Sequence, residues 1–176
     1  MASSIPAGFR SVGENRLREL VGRGLEDFTV GEVIEHRPAR TVTETEHVLL
    51  LALTGNPAPV HSDLEFCQRT GRDRVLVCGL LTQNIVLGMT VRTTSGLTSG
   101  NLALDEVRFE QPVFVGDTLR AQSVIVSARR SKSRPDTGIV SCRIEGYNQH
   151  GERVFRCTRT FFVPADADAV REATSY

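Results

Sequence analysis

Apolar and polar positions are distributed differently in the two halves of the chain, and each half predicts its own kind of element. Residues 1 to about 12 are small and polar and predict a loose lead-in. Asn15 to Val21 fits a short amphipathic helix, and Leu25 to Glu32 leads into an extended segment from Val33 to Val42. Thr43-Glu44-Thr45-Glu46 has the form of a capping box, a threonine hydroxyl for an orphan N–H with a glutamate three residues on. The apolar run Val48 to Leu53 continues that helix, which ends near Thr54-Gly55. Asn56-Pro57-Ala58-Pro59-Val60 is excluded from helix because two prolines fix φ and push their predecessors toward extended backbone. Asp63 is placed to cap a short helix from Leu64 to Gln68, and Arg74 to Val77 predicts extended chain. From Gly79 onward Leu80, Leu81, Ile85, Val86, Leu87 and Met89 are apolar nearly all round, as a central buried helix requires.

The second half predicts strands: Leu102 to Val113, Thr118 to Arg129, Gly138 to Asn148 and Arg153 to Val163. Gly116-Asp117 and His150-Gly151-Glu152 are the clearest turns between them, and the last dozen residues predict a polar tail. One buried helix followed by long antiparallel strands gives an α+β class, with a sheet wrapped around a helix. Neither an internal repeat nor a low-complexity linker divides the chain, so the expectation is one domain over 25–165, a lead-in over 1–24 and a tail over 166–176.

Composition narrows the function. A chain of 176 residues fits one domain with a core large enough to need no staples. Lys+Arg and Asp+Glu both number 21, so no net field draws the protein to nucleic acid or an anionic membrane. No apolar run approaches the roughly 18 residues that span a bilayer. Residues 1–13 lack the charged and apolar regions of a signal peptide, which predicts a cytoplasmic protein. Cys67, Cys78, Cys142 and Cys157 form no CxxC pair and no zinc pattern, and scattered thiols suit a reducing compartment. No metal is expected.

The chemistry-bearing stretch runs from Thr54 to Leu81: Thr54-Gly55-Asn56-Pro57-Ala58-Pro59-Val60-His61-Ser62-Asp63, then Val77-Cys78-Gly79-Leu80-Leu81. It resembles the MaoC-like family, which includes the R-specific enoyl-CoA hydratases. The family signature has an aspartate, an Asn-Pro, a histidine and a further aspartate, then a glycine opening the central helix. His61, Asp63 and Gly79 stand at the matching places. Asp27-Phe28-Thr29-Val30-Gly31 and Pro112-Val113-Phe114-Val115-Gly116-Asp117-Thr118-Leu119 match further family habits, so the resemblance covers roughly residues 25 to 163. It implies a single hot-dog fold and a substrate that is an acyl-coenzyme A thioester. No separate cofactor is implied, since coenzyme A belongs to the substrate. Hot-dog domains pair, so a homodimer or higher homo-oligomer is implied as well.

The chain departs from the signature where the family's catalytic aspartate would stand, because Asn56 occupies that place and Ala58 that of its asparagine. An amide has no proton to exchange near neutral pH. Asn56-Pro57-Ala58-Pro59-Val60-His61 is similar instead to mesaconyl-CoA and itaconyl-CoA hydratases, as are the segments Ser131 to Val140 and Tyr147-Asn148-Gln149. The resemblance therefore implies hydration of a short, branched or carboxylated 2-enoyl-CoA. His61, with an ordinary pKa of about 6.5, suits general acid/base work. Asn56 would orient the water, and the Gly79 backbone N–H would hold the thioester oxygen.

Substrate contacts are expected from Asp63, Cys78, Val60 and Leu80, and from a basic rim of Arg130, Lys132 and Arg134 facing the coenzyme A phosphates. Plainer readings stand beside these. His61 also suits a backbone bond that ends a proline-rich loop, Asp63 a helix cap, Cys78 a packed thiol, and the basic cluster a solvated turn. His36, His47 and His150 read as ordinary histidines, with His47, in the first turn of its helix, the least certain of them. Two other functions remain open. One is an acyl-CoA-binding partner subunit without chemistry, kept alive by Asn56. The other is a hot-dog thioesterase, for which Gln83 and Asn84 stand where an acid would be wanted.

Overall fold

The computed structural model describes residues 5–176, and its architecture follows from one helix that has to be covered on several sides. That helix, α3 (Gly79–Val91), buries Leu81, Thr82, Ile85, Val86 and Thr90. Its cover is a five-stranded antiparallel sheet built from β3 (Val33–Thr41), β4 (Asn101–Phe109), β5 (Thr118–Arg130), β6 (Thr137–Tyr147) and β7 (Arg153–Pro164). The spatial order is β3-β5-β6-β7-β4, so β3 and β4 are the edges. Side chains alternate in burial along the central strands, as a period of two demands. Leu119, Ala121 and Ile125 of β5, Val140, Cys142 and Ile144 of β6, and Phe155, Cys157, Phe161 and Val163 of β7 join the α3 side chains in one core. Gly146 of β6 lies under α3 at a point where a Cβ would come within 2.5 Å of a Val86 methyl, so a glycine there sets how closely helix and sheet approach.

The expected wrapping of the sheet around a helix is therefore present, and the helix boundaries follow their caps. Helix α1 (Glu44–Thr54) opens on the reciprocal box between Thr43 and Glu46 and closes on Gly55 in the left-handed region, φ 60°. Helix α2 (Leu64–Arg69) opens on Asp63, whose Oδ1 accepts the Phe66 N–H at 2.9 Å. The strand expected from Leu102 to Val113 stops at Phe109, because Gln111-Pro112 follows and proline has no N–H to give a ladder.

Three expectations about the ends of the chain are overturned. The segment expected as a helix, Asn15 to Val21, is instead strand β2 (Arg16–Glu19), paired antiparallel with β1 (Phe9–Gly13). Gly13 and Asn15, φ 153° and 53°, make the reversal, and pairing satisfies backbone that a lead-in would leave to water. The lead-in is accordingly a hairpin; its first four residues lie outside the described ones. The polar tail contains helix α4 (Ala167–Thr174), capped by Asp166 through the Asp168 and Ala169 N–H groups. Arg171 of α4 is buried and donates to the Gly22 carbonyl at 2.9 Å, and Arg10 donates to the Tyr176 carbonyl at 2.9 Å. The two ends of the chain thus hold each other. Among the described residues no helix is long and apolar enough to cross a membrane.

Candidate active site

Two prolines, a short 3-10 turn over Pro59–His61 and the start of α2 carry His61 to the rim of a cleft of about 860 Å³. The cleft is lined by α1 (Glu44, His47, Val48, Leu51), by Asn56 and His61, and by Asp73, Arg74 and Val115 from the opposite wall. His61 Nδ1 lies 2.8 Å from the Leu76 carbonyl. A carbonyl only accepts, so Nδ1 carries the proton and Nε2 is left with a free lone pair. That is the state a general base needs. The bond matches the plainer reading of His61 too, since the same contact anchors the loop; one contact does both.

Asn56 is oriented by its network. Its Oδ1 accepts the Ala58 N–H at 3.1 Å, which fixes the amide so that Nδ2 faces the Cys78 sulfur at 3.7 Å. The side-chain NH₂ keeps a second hydrogen for the cleft, consistent with orienting rather than proton transfer. Cys78 is buried, with its sulfur under Asn56 and its backbone N–H donated at 3.2 Å to Nε2 of His47.

His47 is the residue that sequence reasoning passed over as ordinary. It is buried in the first turn of α1, lines the same cleft, and stands edge-to-face with His61, ring centroids 6.1 Å apart and planes at 86°. Burial first, and then the neighbouring His61, hold its pKa below the usual histidine value, while Glu44 works the other way. The one signal available in the sequence was its spacing: His47 precedes the partly buried Leu50 by three residues and so shares its inward helix face.

Gly79 does not open into the His61 cleft. It lines an adjacent one of about 420 Å³ with Leu76, Val77, Thr82, Phe109 and Pro112, and a Cβ at Gly79 would come within 3.0 Å of the Phe109 ring. Leu76, Val77 and Gly79 line this adjacent cleft, while the Leu76 carbonyl reaches back to His61 of the first. The N-terminus of α3 has no side-chain cap, so the first N–H groups of the helix keep their positive partial charge for another acceptor.

The expected substrate contacts separate. Asp63 caps α2 and does not line the cleft. The Val60 carbonyl is taken by the Leu76 N–H at 3.0 Å, and Leu80 is half-exposed on the first turn of α3. The basic cluster lies at the far end of β5, a strand of 13 residues whose near end adjoins the cleft wall at Val115. At about 3.3 Å per residue that distance is roughly 40 Å along the strand. There Arg130 pairs with Glu26 at 3.0 Å, and Arg134 stacks on Phe162 at 4.7 Å. Lys132 lines a shallow surface depression beside Ser131 and Ser133. One chain does not bring these three cations to His61. The cation that does reach the cleft is Arg74, fixed by the Val115 carbonyl at 2.6 Å and the Phe114 ring at 4.5 Å. All four cysteines are free and buried, and burial pushes the Cys142 thiol up to about 12 and that of Cys157 to about 11, as inert packed thiols require.

Residues 27–145 match the MaoC like domain family. The chain belongs to this family. It is 36% identical over 158 residues to the mesaconyl-CoA hydratase of Cereibacter sphaeroides, covering 86% of this chain and 46% of that one. It is also 34% identical over 142 residues to the β-methylmalyl-CoA dehydratase of Chloroflexus aurantiacus, covering 81% and 40%. A solved Mycobacterium tuberculosis protein with a double hot-dog fold superposes with a TM-score of 0.75 at 24% identity, over 84% of this chain and 46% of that one. The fold of this MaoC-like chain is therefore a hot dog, as expected. The chain spans less than half the length of these relatives.

Proposed function

We propose that this MaoC-like chain is a hydratase that adds water reversibly to a short, branched or carboxylated 2-enoyl-CoA, with His61 as the acid/base. The observation that carries the reading is the lock on His61: Nδ1–H held by the Leu76 carbonyl at 2.8 Å, Nε2 bare at the cleft. In the forward direction Nε2 takes a proton from water as the oxygen attacks the β-carbon, and the imidazolium returns that proton to the α-carbon. Asn56 positions the water through its NH₂, and donors beside the start of α3 hold the charge that passes through the thioester oxygen. The substrate class is supported by the relatives, one named for mesaconyl-CoA and one for β-methylmalyl-CoA.

The reading extends to assembly and place. A homodimer would supply a second domain where the relatives are about twice as long. Exposed Leu49, Leu53, Leu80, Leu102 and Phe109, together with the open edge of β4, offer apolar surface for it. A partner copy would also bring Arg130, Lys132 and Arg134 to a coenzyme A phosphate. Four free cysteines fit the cytoplasm.

One observation favours a second reading. With Asn56 in place of a carboxylate, the chain can be a binding subunit that holds an acyl-CoA without turning it over. Crotonyl-, mesaconyl- and itaconyl-CoA assayed side by side decide between them. Loss of the enone absorbance without release of free thiol supports the hydratase; released thiol means a thioesterase. An inert wild type that gains turnover as Asn56→Asp means a binding scaffold.

A further inference from the structure

The hydratase reading leaves the donor beside the start of α3 without a named residue in the His61 cleft. Charge passing through the thioester oxygen needs a donor, and Gly79, expected to provide it, faces the neighbouring cleft. His47 stands where that donor is wanted. A backbone N–H can only donate, so the Cys78 N–H bond at 3.2 Å makes Nε2 of His47 the acceptor and leaves the proton on Nδ1. No other group among the described residues bonds Nδ1, and the ring lines the cleft beside His61. Two backbone contacts thus put opposite ends of two imidazoles to use. Leu76 leaves His61 with a bare Nε2, an acceptor, while Cys78 leaves His47 with a free Nδ1–H, a donor.

We propose that His47 is a catalytic residue: its Nδ1–H donates to the thioester oxygen of the acyl-CoA, while His61 handles the proton. The inference rests on the hydratase reading of the cleft. A neutral imidazole can polarise a carbonyl in this way and keep its proton throughout. Burial against α3 favours that neutral form. At 6.1 Å between centroids the two rings are in edge-to-face contact, so a conjugated thioester lying across both would meet one ring at its carbonyl end and the other at its β-carbon end. Bonds balance without His47 changing state. Water loses its proton to His61, the C–O bond forms as the π pair moves onto the thioester oxygen, and the proton returns to the α-carbon as that pair moves back.

Two variants separate this role from a structural one. In His47→Gln the side-chain carbonyl oxygen can still accept the Cys78 N–H, but the donor at the δ position is gone. His47→Asn keeps a donor near that position and gives up the anchor. The expected result is a Gln variant that melts near the wild-type temperature, binds substrate with KM within a few-fold, and loses about 10²–10³-fold in kcat, the usual loss for one oxyanion donor. The Asn variant should melt lower yet turn over faster per folded molecule than the Gln variant. A readout independent of turnover uses butyryl-CoA, ¹³C-labelled at its carbonyl. Its bound C=O stretch should lie at lower frequency in the wild type than in His47→Gln. A wild type that shifts the stretch but hydrates no enoyl-CoA would end the hydratase reading and keep the donor. Equal kcat and equal stretch in wild type and His47→Gln would overturn the donor and leave the hydratase reading standing.

Discussion

Acidification should destabilise this protein through one buried histidine far from the cleft. His36 of β3 has no exposed surface; its Nδ1 lies 2.7 Å from the Thr93 hydroxyl and its Nε2 2.8 Å from the Ser123 hydroxyl. Burial first, then the nearby Arg23 and Arg37, lower its pKa from 6.5 to about 4. Between those two values the unfolded chain binds a proton that the folded chain refuses, so stability falls as pH drops through that window. The interval corresponds to about 3.4 kcal/mol in full, and about 2 kcal/mol of it is already lost by pH 5. Urea unfolding at pH 7.5, 6, 5 and 4, on wild type and on His36→Gln, measures this directly. Glutamine keeps a partner for the Ser123 hydroxyl at its ε position and does not titrate, so loss of the Thr93 contact lowers its stability equally at every pH. The wild type should lose about 2 kcal/mol more than the variant between pH 7.5 and 5. Parallel curves for the two proteins would refute the argument, because they would place the acid sensitivity elsewhere.

Three further outcomes are expected. Gly146→Ala should cost about 1–3 kcal/mol in urea unfolding, since the new methyl meets a Val86 methyl at 2.5 Å in a core with no slack; an unchanged midpoint would mean that α3 can lift from the sheet freely. Thr43→Ala removes one half of a reciprocal cap and should cost about 1 kcal/mol, read as a lower thermal midpoint, while Thr43→Ser should stay near wild type. Asn56→Asp keeps an acceptor for the Ala58 N–H but removes the NH₂ that positions the water, so the protein should stay folded with kcat lowered; unchanged turnover with an unchanged melt would refute that role.

What the sequence disclosed depended on whether the cause was local. The Thr43–Glu46 box and the Asp63 cap are short-range hydrogen-bond patterns, and both helices start where those residues place them. The all-round apolar character of α3 could only mean a buried helix. The chain ends were different. Arg16–Glu19 carries enough alternation for helix or strand, and its partner β1 decided the matter. Helix α4 is a mostly polar stretch whose stability comes from contacts some 150 residues away, between Arg171 and Gly22 and where Ala167 packs against Gly24. No local pattern encodes those contacts. The candidate site divides in the same way. His61 and Asn56 were legible because a proline-rich motif holds them, whereas His47 acquires its place only when α1 is packed against the start of α3. That the basic loop lies far from His61 of its own chain was not legible, because spacing along a sequence does not say which end of a long strand a site occupies.

The central claim is that His61, through its bare Nε2, moves the proton when water adds to an enoyl-CoA. The most direct measurement is the rate of loss of enone absorbance from crotonyl- and mesaconyl-CoA with wild type and His61→Ala. The expected result is turnover by the wild type, faster on the carboxylated thioester, and a fall of about 10²–10⁴-fold in kcat for the variant at an unchanged fold. A His61→Ala protein that hydrates either thioester at the wild-type rate would contradict the account.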